Sequence, residues 1–400
     1  MAYKFTGNFT QQESIPDAGI EAALAVLKHG RLHRYNVVKG EVAETSLLET
    51  EYAAYTGAKY CLAVASGGYA LAAGLRAAGL KAGDKVLTNA FTLAPVPGAI
   101  VNAGGIPVFV EVTENLVMDL EDLQRKITRS GSKFLMLSHM RGHVVDMDAL
   151  MTICNAEGVI VIEDCAHTMG ASWNGTPSGR HGLIGCYSTQ TFKHINSGEG
   201  GLLITDDAEV MARATMLSGS YMLYGAHAAG APAETFKDIR LDTPNCSGRM
   251  DNLRAAILRP QLAQLDEQGR KWNARYARME KGLQNIAGLR LIPRPEKEYF
   301  VASSFQFTLP DWNAGNVHEV QQRCAERGVE LKWFGADKPV GFTSRHDSWR
   351  YVEAHELPQT DHVLLGLMDM RLPLTFSLED CDILAAIIRE EVSAVYQATA

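Results

Sequence analysis

Gly185-Cys-Tyr-Ser-Thr-Gln-Thr-Phe-Lys-His-Ile-Asn-Ser-Gly-Glu-Gly-Gly201 holds one lysine, Lys193, in a short polar turn between two apolar runs. Those runs, Cys186–Thr189 and Gly201–Thr205, read as buried strands, and the turn is too short to carry Lys193 far from a sheet. Ser188 stands five residues before the lysine, and Gly198-Glu-Gly-Gly201 begins five residues after it. Upstream, Val159–Glu163 is a further apolar run that ends on Asp164, with His167 three residues beyond.

Outward from this turn the chain has a rhythm. Tyr60–Ala65, Lys85–Ala90, Pro107–Val112, Phe134–Ser138 and Val159–Glu163 are short Val/Ile/Leu-rich runs, and helical patterns separate them. Continuous apolar strands alternating with helices predict a mostly parallel α/β sheet covered on both faces. Ligands in such sheets gather at the carboxyl ends of the strands. Ser66, Thr92, His139 and Asp164 all fall at or just past such ends, which predicts a single site.

The remaining sequence sets the frame. At 400 residues the chain exceeds a usual single core, so two domains are expected. We place a large domain over 1–260, with an N-terminal arm over 1–50, and a smaller α+β domain over 261–400. Residues 218–248 lack periodicity and read as a long loop, and about Asp251–Ile286 reads as one long helical segment. A net charge of -8 gives no footprint for nucleic acid or an anionic membrane. No apolar run suits a signal peptide or a membrane span. Seven scattered cysteines without Cys-x-x-Cys spacing predict reduced thiols in a cytoplasmic protein, with neither a disulfide frame nor a zinc site. The twelve histidines include no His-Glu-x-x-His pattern, so no metal is expected.

A carboxylate at a strand end, a lysine in a tight turn and a nearby hydroxyl suit pyridoxal phosphate (PLP). Lysine forms the Schiff base, the carboxylate keeps the ring nitrogen protonated, and the hydroxyl meets the phosphate. Ser66-Gly67-Gly68 at a strand-to-helix junction offers bare amides and a helix N-terminus, a ready anion site. Each residue alone has a plainer reading. Lone turn lysines are usually solvated, Asp164 could cap a segment, His167 could be a core histidine, and Ser-Gly-Gly could merely turn. Glu163 points opposite to Asp164 and is expected to be structural. Glu199 could be catalytic or could fix the lysine turn.

Taken in order, these motifs resemble the DegT/StrS-type sugar and aminocyclitol aminotransferases, PLP enzymes of the aspartate-aminotransferase fold (fold type I). Ala65-Ser-Gly-Gly-Tyr-Ala-Leu71 resembles that family's phosphate turn, and Gly83-Asp-Lys-Val-Leu-Thr88 and Ala103-Gly-Gly-Ile-Pro-Val-Phe-Val-Glu-Val112 resemble the next strands. His139-Met-Arg-Gly-His-Val-Val-Asp-Met-Asp148, Ile162-Glu-Asp-Cys-Ala-His167, Arg249-Met250 with Ala255-Ala256, and Leu372-Pro-Leu-Thr-Phe376 resemble its later blocks.

The resemblance implies that Lys193 is the Schiff-base lysine and proton shuttle, with Asp164 on the ring nitrogen and His167 near the ring. Ser66, Gly67, Gly68 and Ser188 would hold the phosphate. Gln190 is similar to the aminocyclitol and aminohydroxybenzoate branch. Gly68 replaces a threonine, Leu93 aligns with the ring-stacking aromatic while Phe91 is near, and Asn252 replaces a glutamate. Ser247 aligns with the asparagine that reaches the partner's phosphate, with Asn245 two residues away. A histidine-bearing branch dehydrates its substrates, but the spacing puts Lys193, not His194, at the imine position. The implied function is transfer of an amino group from L-glutamate or L-glutamine, through the pyridoxamine form of the cofactor. The acceptor would be a ketone of a sugar nucleotide, cyclitol or related small polar compound, and the protein a homodimer with shared sites. Another PLP reaction (dehydratase or lyase) and a non-catalytic PLP-fold sensor are the alternatives. Residues 218–248, Arg31–Tyr35 and Trp333–His346 are expected to shape the acceptor pocket.

Overall fold

The computed structural model describes residues 4–399. Its strands in chain order are β1 (Tyr60–Val64), β2 (Lys85–Asn89), β3 (Ile106–Val110), β4 (Phe134–Ser138), β5 (Ile160–Asp164), β6 (Ser172–Trp173), β7 (Thr176–Pro177), β8 (Ile184–Ser188) and β9 (Gly201–Thr205). These are followed by β10 (Arg290–Leu291), β11 (Glu298–Tyr299), β12 (Ser304–Thr308), β13 (Lys332–Trp333) and β14 (Leu367–Arg371). The central sheet runs β1-β9-β8-β5-β4-β2-β3, parallel except for β9, which is antiparallel to both neighbours. This is the mostly parallel α/β sheet the sequence predicts. The exception has a local cause: β8 and β9 are joined by the turn that carries Lys193, and a short connection can only return the chain antiparallel.

Both sheet faces are buried, as the unbroken apolar runs require. Leu62, Val64, Ile184, Cys186 and Leu203 pack under the helix Gly67–Ala77. Their alternates Cys61, Ala63, Tyr187, Leu202 and Ile204 pack on the opposite face, beneath Glu44–Thr56 and Asn252–Leu262.

A second sheet, β10-β12-β14-β13, has its own core, in which Phe305, Phe307, Met368 and Met370 meet Ile387 and Ile388 of the last helix. Phe5 and Phe9 belong to this core, their rings edge-on to Phe376 at 5.0 and 4.9 Å. So the start of the N-terminal arm packs into the core of the second sheet.

Two local readings need correction. The expected single helix over about Asp251–Ile286 is two, Asn252–Leu262 and Leu265–Leu283. Pro260 lies inside the first and cannot donate to the Ala256 carbonyl, and the helix ends two residues later. The expected loop over 218–248 contains two 3₁₀ turns and a helix, Phe236–Asp242. That helix is too short to show a period, and it is held by Phe236, buried and stacked on Tyr224 at 4.1 Å. Among the described residues no helix is long and apolar enough to cross a membrane. The seven cysteines are unpaired.

Candidate active site

The carboxyl ends of β1, β5 and β8 and the turn after β8 converge on one cavity of about 370 Å³. Ser66 ends the approach from β1 and caps the next helix, its Oγ accepting from the Tyr69 amide at 3.1 Å. The Gly67 and Gly68 amides are thereby left at the helix mouth, where the first N–H groups of a helix have no partner within it. Ser188 lies against this mouth so closely that a Cβ on Gly67 would fall 2.9 Å from the Ser188 Cβ. Only backbone fits there. The result is a concave set of amides and one hydroxyl at a helix N-terminus, fit for a phosphate.

Asp164 forms the inner wall and is 8% exposed. Ser138 Oγ donates to its Oδ2 at 2.9 Å and the Ala166 amide to Oδ1 at 3.2 Å. Burial still raises its pKa, against the opposing pull of Lys193 and these donors. A carboxylate held this way suits a buried cationic ring nitrogen, whose charge would repay its desolvation.

Lys193 reaches the same cavity from the turn, which is pinned by Lys193 N–H to the Gln190 carbonyl (2.9 Å) and Ser197 N–H to the Thr189 carbonyl (2.9 Å). Its Nζ lies 2.8 Å from His167 Nε2. His167 Nδ1 accepts from the Arg141 amide at 3.3 Å, so the ring proton belongs on Nε2 and the lysine nitrogen must accept it. A neutral His167 so arranged offers its Nε2–H to an unprotonated amine. The charge balance agrees: burial first, and then Arg141, Arg371 and Lys332, outweigh Asp164 and lower Lys193 to about 7. Burial, with Lys193 and Arg141 adding to it, holds His167 neutral, well below its ordinary pKa.

The cavity opens into an outer lobe of about 320 Å³ that shares Leu93, His167, Gln190, Lys193 and Phe342 with the inner one. Ser66, Gly67, Gly68, Asp164, His167, Ser188, Gln190 and Lys193 are therefore together. Asn245 and Ser247 are not. Both are exposed beside Gly219 and line neither lobe of their own chain. Leu93 lines both lobes, whereas Phe91 is buried edge-on to Phe334 at 5.1 Å and lines neither. Of the segments expected to shape the pocket, residues 340–342 and Lys332 beside them line the outer lobe. Arg31 and Arg34 instead pair with Glu41 and with buried Glu49, and residues 218–248 line neither lobe.

Glu163 is structural. Its oxygens accept from the amides of Gly179, His181 and Gly182 at 2.7–2.9 Å and meet His139 Nε2 at 3.0 Å. His139 thus faces away from the cavity, and the residue before it, Ser138, takes the place at Asp164. Arg141, Lys332 and Arg371 were also missed. Alternation in Leu367-Met-Asp-Met-Arg371 was the available signal, since it puts two charges on one face of a strand.

A protein-family model described as the DegT/DnrJ/EryC1/StrS aminotransferase family matches residues 16–389. The chain is 32% identical to an L-glutamine:2-deoxy-scyllo-inosose aminotransferase of Streptomyces fradiae, over 69% of this chain and 65% of that one. It is also 32% identical to a pleiotropic regulatory protein of Geobacillus stearothermophilus, over 70% of this chain and 72% of the other. The chain thus spans about two thirds of the length of the curated relatives it matches. The fold matches the crystal structure of 3-amino-5-hydroxybenzoic acid synthase with a TM-score of 0.83 at 24% identity, covering 98% of this chain and all of that one.

Proposed function

The chain belongs to the DegT/DnrJ/EryC1/StrS family of PLP-dependent aminotransferases, and from this premise we propose that it moves an amino group from L-glutamate or L-glutamine to a small polar ketone. The acceptor class is a sugar nucleotide, cyclitol or related compound. A cytoplasmic homodimer with two shared sites is part of the same proposal.

The residues present fit PLP. Ser66, Gly67, Gly68 and Ser188 form the anion cradle, and Asp164 supplies a buried carboxylate on the inner wall. Lys193 supplies the amine, and Leu93 and His167 flank the space between. When bound, PLP supplies a carbonyl that accepts the amino group and an electron-withdrawing ring that eases loss of the proton next to it.

The chain's own residues do the rest. Asp164 holds positive charge on the ring nitrogen's side of the cavity. Lys193 takes the proton from the donor's reacting carbon and returns it on the other side of the exchange, and its pKa, lowered to about 7, makes a free amine available at neutral pH. His167 Nε2–H steers that amine by hydrogen bonding to its lone pair. The observation that carries the reading is the Lys193–His167 contact at 2.8 Å, in a cavity whose opposite wall is the Ser66–Gly68 cradle.

The test is the absorbance of the purified, PLP-loaded protein before and after L-glutamate and, separately, L-glutamine. A yellow band that bleaches with either donor supports the proposal. A chain that takes up no PLP overturns it. The similarity to a regulatory protein favours a second reading, a PLP-fold sensor. Sustained turnover of an amine donor with a ketone excludes that one.

A further inference from the structure

The turn that follows β4 holds a strained residue against the site. Arg141 has φ 55° and ψ 21°, a left-handed backbone that residues with a Cβ rarely adopt. Such strain persists only where the surroundings over-determine it. Here the second sheet does so. Arg141 Nη2 pairs with Asp369 Oδ2 of β14 at 2.8 Å, and its guanidinium lies 5.7 Å over the ring of Phe334, which is buried just after β13. The other Asp369 oxygen accepts from Gln306 Nε2 of β12 at 2.7 Å, and Gln306 Oε1 accepts from His143 Nε2 at 2.9 Å. His143 belongs to the same turn, so Asp369 and Gln306 grip it on both sides of Gly142. Arg294 closes the grip by donating to the Gly142 carbonyl at 2.7 Å.

What this holds in place is one amide. Arg141 N–H donates to His167 Nδ1 at 3.3 Å, and His167 Nε2 lies 2.8 Å from Lys193 Nζ. While the amide occupies Nδ1, the ring proton sits on Nε2 and is offered to the lone pair of a neutral amine. Without the amide the ring can carry its proton on Nδ1, and Nε2 then accepts from a lysine ammonium. The tautomer of His167 thus decides which form of Lys193 is favoured. The other groups around this pair are Asp164 from β5, Arg371 from β14, Lys332 from β13, the Arg141 guanidinium and the ring of His194, which burial holds neutral. These act on the pair through charge. The Arg141 amide presents a donor to one ring nitrogen and so selects the tautomer.

We propose that Arg141 is a positioning residue: its side chain, anchored on Asp369 and Phe334, holds the left-handed turn that aims its own amide at His167 Nδ1 and so keeps Lys193 in the amine form. This deepens the aminotransferase reading and rests on it for the use made of that amine. The guanidinium also disfavours the ammonium by its charge, so backbone and charge have to be separated.

Two variants separate them. Arg141→Gly and Arg141→Ala remove the same cation and the same anchor, yet glycine tolerates φ 55° and alanine does not. The full-length, cofactor-free chain with isotope-labelled lysine is titrated by NMR, and Lys193 is identified by the signal lost in Lys193→Met. Loss of the cation raises the Lys193 midpoint in both variants. Loss of the amide adds to it in Arg141→Ala alone, so that midpoint is expected about 0.5 pH units or more above the glycine variant's, about a threefold difference in free amine. Labelled histidine nitrogens give the second reading. The His167 proton stays on Nε2 in Arg141→Gly and shifts toward Nδ1 in Arg141→Ala. A smaller gap between the midpoints, or a proton that stays on Nε2 in both variants, overturns the assignment. Should Arg141→Ala misfold, Arg141→Asn and Arg141→Gln repeat the comparison, because asparagine enters the left-handed region more readily than glutamine. Equal midpoints in that pair overturn it equally. PLP uptake is read separately: a chain that takes up none sinks the aminotransferase reading and leaves the lysine titration untouched, so the two failures are distinct.

Discussion

Lys193 concentrates the chemistry of the site in one titration. An ordinary lysine holds its proton to 10.5, whereas this one, buried among cations, sheds it near 7. Below that value the amine cannot accept a proton, so the donor half-reaction is expected to quicken as pH rises through about 7 and to level off above it. Rapid-mixing absorbance across that range checks it, and a flat profile would remove Lys193 as the base. The same shift has a sign for stability. Between about 7 and 10.5 the unfolded chain binds the proton that the folded chain has released, so stability of the cofactor-free protein rises with pH over that window. Lys193→Met is therefore expected to lower turnover by at least about 10²–10⁴-fold while raising the melting temperature of the cofactor-free chain near pH 7. That gain should shrink toward pH 10.5. A variant that melts lower at neutral pH contradicts the burial argument. Asp164 was legible because it closes an apolar run, and Lys193 because it stands in the short turn between two of them. Ser138 was not. Its contact with Asp164 depends on β4 and β5 being neighbours in register, Ser138 opposite Asp164, which no single-sequence pattern encodes.

The cradle belongs to an element, the helix Gly67–Ala77 with its entry from β1. Gly67 has no strained backbone angle to protect. Its constraint is space, since a methyl there would meet Ser188 Cβ at 2.9 Å. Gly67→Ala is thus expected to push the helix mouth off Ser188 and weaken PLP binding by about tenfold, the effect of about 1.4 kcal/mol of overpacking. A fluorescence titration reads this, and unchanged affinity with an unchanged melting point would mean the mouth can yield. Glu163 does comparable work for the loop before β8, joining three backbone amides from Gly179 to Gly182 to one carboxylate. Glu163→Ala leaves those donors dry at about 1–3 kcal/mol each, and denaturant unfolding should show a loss of several kcal/mol. The strand-and-helix alternation was readable because buried parallel strands need unbroken apolar runs. The reversal of β9 and the helix break after Leu262 were less so. One depends on which strands become neighbours, and the other on a proline whose missing donor competes with good helix formers on either side.

At the scale of the molecule, an outward face remains to be accounted for. Val37, Val38 and Val42 in one loop and Tyr221, Met222 and Leu223 in another are all exposed. A buried network binds these loops together. Arg34 pairs with Glu49 at 2.9 Å, Arg34 Nη2 lies 2.9 Å from His227 Nδ1, and the Tyr35 hydroxyl lies 2.7 Å from His227 Nε2. Arg249 stacks 5.8 Å over Tyr221 and donates to the Gly219 carbonyl, which brings exposed Asn245 and Ser247 to the same side. So many apolar side chains on ordered loops suit a surface that a second copy covers. Such a surface would also account for why 218–248 and Arg31–Tyr35 line neither lobe of their own chain's Lys193 cavity, although the sequence pointed to them as pocket-forming. The homodimer proposed above makes a joint prediction. Val38→Asp with Met222→Asp, two sites 50% and 58% exposed, should leave the fold and its melting curve nearly intact if the chain is a monomer, since charges on open surface cost little. If the face is an interface, the buried charges should halve the mass seen by light scattering. PLP affinity should fall with it, because Asn245 and Ser247 would then lose the neighbouring site they are placed to reach. A pair of variants that stays dimeric with full cofactor affinity puts the interface elsewhere. A parent chain already monomeric, yet binding PLP tightly, would mean that Ser66–Gly68 and Ser188 hold the phosphate without help from a second copy.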